Sequence, residues 1–508
     1  MISLEKEQRP DILRQVALLL DRENRHLHER IKNLTIEVAK LKGADAATLQ
    51  LEIEQLREML ARREQAIFGV SSEKRPRTRQ KPEAEREPQT GHGPTEQKHL
   101  PVLEETLELA PDERTCPACN GTLEEMGDQA DETEEITVVR RQFYLVKRRR
   151  QKYRCRCNGA VVTAPAPAKL IPGGRYSTEF AVEVALGKYL DHAPLERQSR
   201  TMAREGLLVT SQTLWDQIEA LARVLEPSYQ ALRAEVLSAP VVHADETRWR
   251  LMTREGSSKW WVWSVANRRA AYYRLCGTRS QKAARAILSG YPGVVMCDGY
   301  TAYKTLAKAE AQADTRAGPK MRLAHCWAHV RRKFVEAERS YPVPCAEALD
   351  LIGQLFEVER EVPRVGWPED PEALALRQRL RSERSKPLVD KLEAWALEMR
   401  ARALPRGGLG KAIHYLLSHL EGLKLFLENP EIPLDNNLAE RELRGVVLGR
   451  KNHYGSRSKR GTEVAALFYS LLETAKLVGD EPGAYLVRAT RAALDTPGTV
   501  TLPVAPGT

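Results

Sequence analysis

No run of apolar residues in this chain approaches the ~20 needed to span a bilayer, and its first ten residues, MISLEKEQRP, are too charged for a secretory signal. Membrane-embedded and exported classes are set aside, and a cytoplasmic, nucleoid-associated protein is the expectation. Cysteine is scarce: eight among 508 residues, with no pattern of a disulfide framework. Four of them are spread through apolar segments, at Cys276, Cys297, Cys326 and Cys345, where a free thiol packs as a small hydrophobe. No strong excess of one charge exists either. The balance of 79 basic against 69 acidic residues gives +10, which favours a polyanionic partner without naming one.

What is present divides into segments. Leu13, Leu20, Leu27, Leu34 and Leu41 recur every seven residues, and Ala17, Asn24, Ile31 and Val38 fill the positions four residues on. Leucine in one core position, aliphatics in the other and one buried Asn is the pattern of a two-stranded coiled coil. After Gly43 the repeat resumes one place out of phase with Leu49, Ile53, Leu56, Leu60 and Ile67, so the alternative is an intramolecular helical hairpin turning at that glycine. Residues 10–70 are therefore expected as a dimerisation helix. Residues 71–100, rich in charge, Pro, Gln and Gly, cannot support a core and are expected as a disordered linker.

Residues 101–165 are expected as a zinc-binding β module. Cys116-Pro-Ala-Cys119 and Cys155-Arg-Cys157 supply four thiolates for a tetrahedral zinc site across a hairpin, EEITVVRRQFYLVKRRRQKYRC. The second pair has one intervening residue where two to four are usual, and two unrelated reduced pairs are the alternative. Nine of the residues from Arg140 to Arg156 are Arg or Lys, among them Arg148, Arg149 and Arg150, interleaved with Phe143, Tyr144 and Tyr153. Such a ribbon suits a phosphate backbone, though a solvated strand face reads the same way. Residues 172–235 carry LERQSRTMARE, a turn at Gly206 and SQTLWDQIEAL, the spacing of a helix-turn-helix with Ser211 as cap; such helix pairs are also common core architecture.

From Ala239 the pattern changes to short Val-, Trp- and Tyr-rich runs: APVVHADETRWRLMT, SKWWVWSVAN and AAYYRLCG, then the helix SQKAARAILSG and the run GVVMCDGY. Three antiparallel strands, a crossover helix and a fourth strand parallel to the first describe the start of a ribonuclease H-like sheet. That order brings the ends of the first and fourth strands together, and with them Asp245 and Asp298. Paired carboxylates with hard oxygen donors point to magnesium or manganese, two ions per site, rather than zinc. A third segment, DNNLAERELRGVVLGRK, offers Asp435 as a helix cap and Glu440 on one face with Asn436 and Arg444, while Glu442 points away. MRLAHC reads as a fifth strand, WAHVRRKFVEAE begins a helix, and a helical insertion is expected over about 330–430 of a catalytic core spanning 236–470. His325 and Cys326 are expected in the core, with His329, Arg332 and Lys333 near a bound phosphate. Helices over 471–490 and a disordered tail over 491–508 complete the expectation.

The strings HADETRWR, CDGYTAYK, HCWAHVRRKF, DNNLAERELR and GRKNHYGS, in this order, resemble the DDE transposases of the insertion sequence 66 family. The resemblance covers most of residues 10–490. It implies a DNA strand transferase with Asp245, Asp298 and Glu440 as its metal-binding triad. The zipper would serve a homodimer or larger synaptic assembly on transposon ends and target DNA, with accessory transposition proteins as further partners. Arg441, Arg444, Arg450 and Lys451 extend a basic surface suited to end DNA. His453-Tyr454-Gly455-Ser456 departs from the bulky apolar pair and Ala of many relatives. The rival readings are a structure-selective nuclease that stops at hydrolysis and a DNA-binding regulator without chemistry.

Overall fold

The computed structural model of the chain describes residues 22–35, 37, 53, 56–58, 60, 101–102, 117–118, 120–122, 136, 141–154, 156, 160–253, 256–313, 320–362 and 370–506. Residues 72–142 form a unit of their own, and the remainder forms the other. Cys116, Cys119, Cys155 and Cys157, the 71–100 linker and most of the zipper leucines lie outside the described residues. Among the described residues no helix is long and apolar enough to cross a membrane.

Near the amino terminus a helix spans residues 22–35. Along it Asn24, Leu27 and Ile31 are half-buried and Leu34 is fully buried, while their neighbours are exposed. The heptad stripe is thus the covered face. Ile53 and Leu60, from the second set of leucines, are buried as well.

The basic segment differs from expectation. Residues 141–150 form neither helix nor strand and are mostly exposed, and the hairpin formed is β1 (Lys152–Arg154) against β2 (Val161–Thr163). Val161 and Val162 follow the turn and supply the β-branched partners that the run of arginines lacks.

Three helices follow: α1 (Thr178–Tyr189), α2 (Leu195–Arg204) and α3 (Ser211–Leu237). Gly206, at φ +91°, closes the α2–α3 turn. The cap of α3 is Thr210, whose hydroxyl accepts from the Thr213 amide, so Ser211 is the first helical residue instead of the cap. From the first turn onward Leu214, Ile218, Leu221, Leu225 and Leu232 are buried at helical spacing against the core, and exposed residues such as Gln212, Asp216, Arg223 and Gln230 recur on the other face.

The sheet has five strands, β3 (Val241–Thr253), β4 (Gly256–Ala266), β5 (Ala271–Cys276), β6 (Val294–Cys297) and β7 (Arg322–His325), in the order β5-β4-β3-β6-β7. The first three form an antiparallel meander. Helix α4 (Gln281–Leu288) then crosses to β6, parallel to β3, and α5 (Thr301–Ala313) leads to β7, parallel to β6. Four consecutive apolar residues in β6 are all buried because its two faces serve different cores. Val295 and Cys297 join the core built with α1 and α3, while Val294 and Met296 join a second core of helices.

That second core belongs to α6 (Trp327–Glu338), α7 (Pro342–Glu361), α8 (Pro371–Leu380), a π-helical turn at Arg381–Ser385, α9 (Lys386–Arg402), α10 (Gly408–Ser418) and α11 (Leu420–Glu428). Arg381, fully buried, holds the turn by pairing with Glu359 and donating to the carbonyls of Phe426 and Asn429. The chain returns to the sheet through α12 (Asn437–His453), α13 (Lys459–Val478) and α14 (Pro482–Asp495).

The tail expected to be disordered from 491 is ordered. Helix α14 runs to Asp495, Thr501 donates its amide to Ser228 Oγ (2.9 Å), the Tyr485 hydroxyl donates to the Thr501 carbonyl (3.0 Å), and Leu502 packs on the core. Ser228 lies 273 positions away from Thr501, a contact that composition alone does not reveal.

Candidate active site

The register of the sheet sets the site. His243 pairs with Met296 as the last pair of the parallel β3–β6 ladder; just beyond it Asp245 continues β3 and Asp298 directly follows the last residue of β6. Asp245 Oδ1 accepts from the Glu246 amide (2.8 Å), and Asp298 Oδ1 accepts from the Tyr300 amide (2.9 Å). Both carboxylates are half-buried, each with oxygen capacity to spare.

The third segment is fastened to the first strand by Asn436. This residue, fully buried, stands at the start of α12 without its side chain capping the helix. Its Nδ2 donates to the Ala244 carbonyl (2.9 Å), its Oδ1 accepts from His243 Nδ1 (3.0 Å), and its own amide donates to Cys326 Sγ (3.3 Å). Asp435, expected as the cap, sits one place earlier and accepts from the Asn437 amide (3.1 Å). Glu440 lies one turn into the helix, about a third exposed, with its Oε1 3.8 Å from His329 Nε2. The opposite edge of α12 carries Glu442, whose buried carboxylate pairs with Arg441 (3.2 Å).

Charge ties the acids together. Burial, the neighbouring Glu246, and then Asp298 and Glu440 push the Asp245 carboxyl up to about 7. His329 is held down by burial, against the pull of Glu440 and Asp298. Burial pushes His243 down to about 4, so it stays neutral as a donor to Asn436. Among the described residues no three His, Cys, Asp or Glu side chains are drawn together at metal-ligand spacing. The donor chemistry nevertheless fits a hard divalent cation: a buried carboxylate whose proton affinity is raised by neighbouring acids is reconciled by positive charge.

Several functional contacts had no signal in the pattern of residues. Glu246 faces away from Asp245 and is fully buried; Arg279 and the Tyr303 hydroxyl (2.8 Å) saturate it, and Arg279 stacks on Tyr300 at 3.8 Å. Alternation along a strand foretells the opposite facing but not the partners. From the helical insertion Tyr415 donates its hydroxyl to the Asp298 carbonyl, 117 positions away in sequence. Beside it His419, with Nδ1 2.7 Å from the Tyr415 carbonyl, lies against Gly299.

The expected DNA-facing cations separate into groups. Arg148, Arg149 and Arg150 are exposed on the 141–150 segment, beside exposed Tyr144 and Tyr153. Arg332 and Lys333 lie on α6 near His329, Lys333 pairing with Glu336 (3.1 Å). Arg441, Arg444 and Lys451 are exposed along α12. Arg450 is different: it donates to Thr247 Oγ1 (3.3 Å) and to the Arg248 carbonyl, pinning α12 to β3. The HYGS segment completes that pin. Tyr454 and Gly455 take φ +62° and +127°, which turns Ser456 onto β3, where its amide donates to the Arg250 carbonyl (3.0 Å) and Trp249 Nε1 donates to its hydroxyl (3.2 Å).

Comparison with known proteins places this arrangement. The family described as "Transposase IS66 family" matches residues 173–464, and that described as "zinc-finger binding domain of transposase IS66" matches residues 113–158. Among curated relatives from Sinorhizobium fredii, uncharacterized protein y4jD is 34% identical over 403 residues, covering 77% of this chain and 76% of its own length. Uncharacterized protein y4hP is 32% identical over 408 residues, 76% of this chain and 71% of its own. Uncharacterized protein y4qI is 30% identical over 474 residues, 90% of this chain and 84% of its own.

Proposed function

Since the chain belongs to the IS66 transposase family, we propose that it cuts DNA at the ends of an insertion sequence and joins those ends to a target, using Asp245, Asp298 and Glu440. The observation that carries this reading is that three sequence-distant acids fall on segments tied to one another by two independent devices, with Asp298 and Glu440 both acting on the Asp245 carboxyl. The parallel register ties the segments that carry Asp245 and Asp298, and the Asn436 clamp ties the start of the helix that carries Glu440 to β3. Two parallel strands added to an antiparallel meander support reading the sheet as ribonuclease H-like.

A pair of magnesium or manganese ions held by these carboxylates would activate the attacking oxygen and neutralise the leaving one. The chain's own residues bind and orient. Glu246, already saturated by Arg279 and Tyr303, is left as a structural acid that keeps Asp245 electron-rich. The exposed cations of α12 and of the 148–150 segment offer a surface for the phosphate backbone. Cys116, Cys119, Cys155 and Cys157 would staple the zinc finger with one structural zinc. A homodimer or larger synaptic assembly would pair the two ends.

The test uses the full chain, labelled candidate element ends and magnesium, scored separately for end binding, cleavage and joining. Asp245→Asn, Asp298→Asn and Glu440→Gln should each abolish both chemical steps while end binding persists, and Glu442→Gln should remain active. Cleavage without any joining by the wild-type protein would favour a nuclease. End binding without cleavage would favour a regulator.

A further inference from the structure

Helix α10 touches two things that sequence places far apart. At its start, Gly407 and Gly408 leave room for the Glu58 carboxylate: a Cβ on either would come within 3.1 Å of a Glu58 oxygen. Glu58 is buried, at 7% exposure, and its Oε2 accepts from the Tyr341 hydroxyl (3.3 Å). A carboxylate seated there faces the unpaired amides and the partial positive charge of a helix start. Further along α10, about 10 Å of helix rise from Gly408, Tyr415 donates to the Asp298 carbonyl, and just past the helix His419 lies under Gly299. Gly299 has φ +85°, and a Cβ there would fall 2.3 Å from His419 Nε2. The His419 ring is itself backed edge-on by His325, centroids 4.6 Å apart, and stacks at 4.3 Å on Tyr415.

We propose that α10 is a lever joining the amino-terminal helical segment to the second acid, with Glu58 holding one end and Tyr415 and His419, as positioning residues, holding the Asp298–Gly299 turn at the other. This rests on the reading of Asp298 as an active-site acid. The amino-terminal segment precedes the catalytic region by some 180 positions and carries the zipper pattern. Its seating on α10 gives assembly a direct mechanical route to the geometry of the acids. A helix moves as a rigid rod because its backbone bonds are internal, so a displacement at Gly408 reaches Tyr415 undiminished.

The experiment measures amide hydrogen exchange on the full chain, free of DNA and metal, together with Mn2+ binding followed by electron paramagnetic resonance. The Tyr300 amide, which Asp298 Oδ1 accepts at 2.9 Å, reports on the turn. Tyr415→Phe should speed exchange over residues 297–301 about fivefold, the worth of one lost hydrogen bond. It should also weaken Mn2+ binding by a similar factor, with an unchanged melting temperature. Glu58→Gln should speed exchange over 408–412 and also over 297–301, while β4 and β5 keep their rates. A Glu58→Gln effect that stops at α10 overturns the lever. An unaltered 297–301 segment in Tyr415→Phe overturns the positioning role. Neither readout requires turnover, so an active Asp298→Asn protein would refute the functional reading and leave the exchange result to stand by itself.

Discussion

Asp245 is a carboxylate placed where its charge is costly. Burial and three neighbouring acids raise its proton affinity to about 7, so the metal-free native state holds that proton more tightly than the unfolded chain does. Stability then falls as pH rises from about 4 to 7, and the whole cost is felt above 7. Asp245→Asn should therefore stabilise the metal-free protein at pH 8, by roughly 2–4 kcal/mol from the size of the shift, and the advantage should shrink towards pH 4. Saturating magnesium should raise the melting temperature of the wild type and leave the variant where it was. Thermal unfolding in chelator and in magnesium reads both effects. A variant no more stable than wild type at pH 8 in chelator contradicts the assignment of Asp245 as the strained acid. The choice between adjacent acids in HADET follows from the same physics: Glu246 already has Arg279 and Tyr303, and Asp245 has one backbone amide.

Among the elements, α12 depends most on precise fastening. Asn436 ties its first turn to β3, Arg450 ties its last turns to Thr247 and the Arg248 carbonyl, and the HYGS loop locks Ser456 beside Leu251. Asn436→Ala leaves the Ala244 carbonyl and His243 without their partner in a buried place and should cost roughly 2–3 kcal/mol. With Glu440 loosened by about an ångström, cleavage at saturating DNA should fall about 100-fold while end binding holds. Gly455→Ala should cost roughly 2–3 kcal/mol as well, because a Cβ there would meet the Arg250 carbonyl at 2.1 Å and φ is +127°. Denaturant unfolding beside single-turnover cleavage separates these losses, and a fully active Asn436→Ala protein would dismiss the clamp.

The strands of this site were legible because alternation, β-branched content and turn residues all lie within a few positions of one another. VVHADET, the meander and the β6 run could be placed, and their register followed. Asn436 was legible only as a helical neighbour of Glu440, since its partners, Ala244 and His243, stand about 190 positions away. Tyr415, His419 and the docked tail were illegible for the same reason. The β1–β2 ladder, which pairs Tyr153 with Val162, was not placed because strand propensity favoured a hairpin within EEITVVRRQFYLVKRRRQKYRC.

At the scale of the whole molecule, the covered stripe on residues 22–35 bears on whether the zipper pattern joins two copies of the chain. Leu34 and Ile53 are buried within a single chain, which suits the hairpin alternative for part of the seam. Asn24 argues that the seam continues into a second copy. Its Oδ1 is covered and has no hydrogen-bond partner among the described residues, and leaving a buried amide oxygen unpaired costs about 1–3 kcal/mol. In a parallel pair of such helices the Asn24 side chains face each other and satisfy one another, at the position where one asparagine fixes register. The full chain should therefore sediment as a dimer or larger. Leu27→Lys with Leu34→Lys, which puts four charges into the seam of a pair at a cost of several kcal/mol, should reduce it to a single chain that still binds one labelled end and no longer joins paired ends. Asn24→Leu should instead tighten association and broaden the distribution of oligomers, because the constraint on register is gone. Unchanged sedimentation of the double lysine variant, with only its melting temperature lowered, would place the whole seam within one chain.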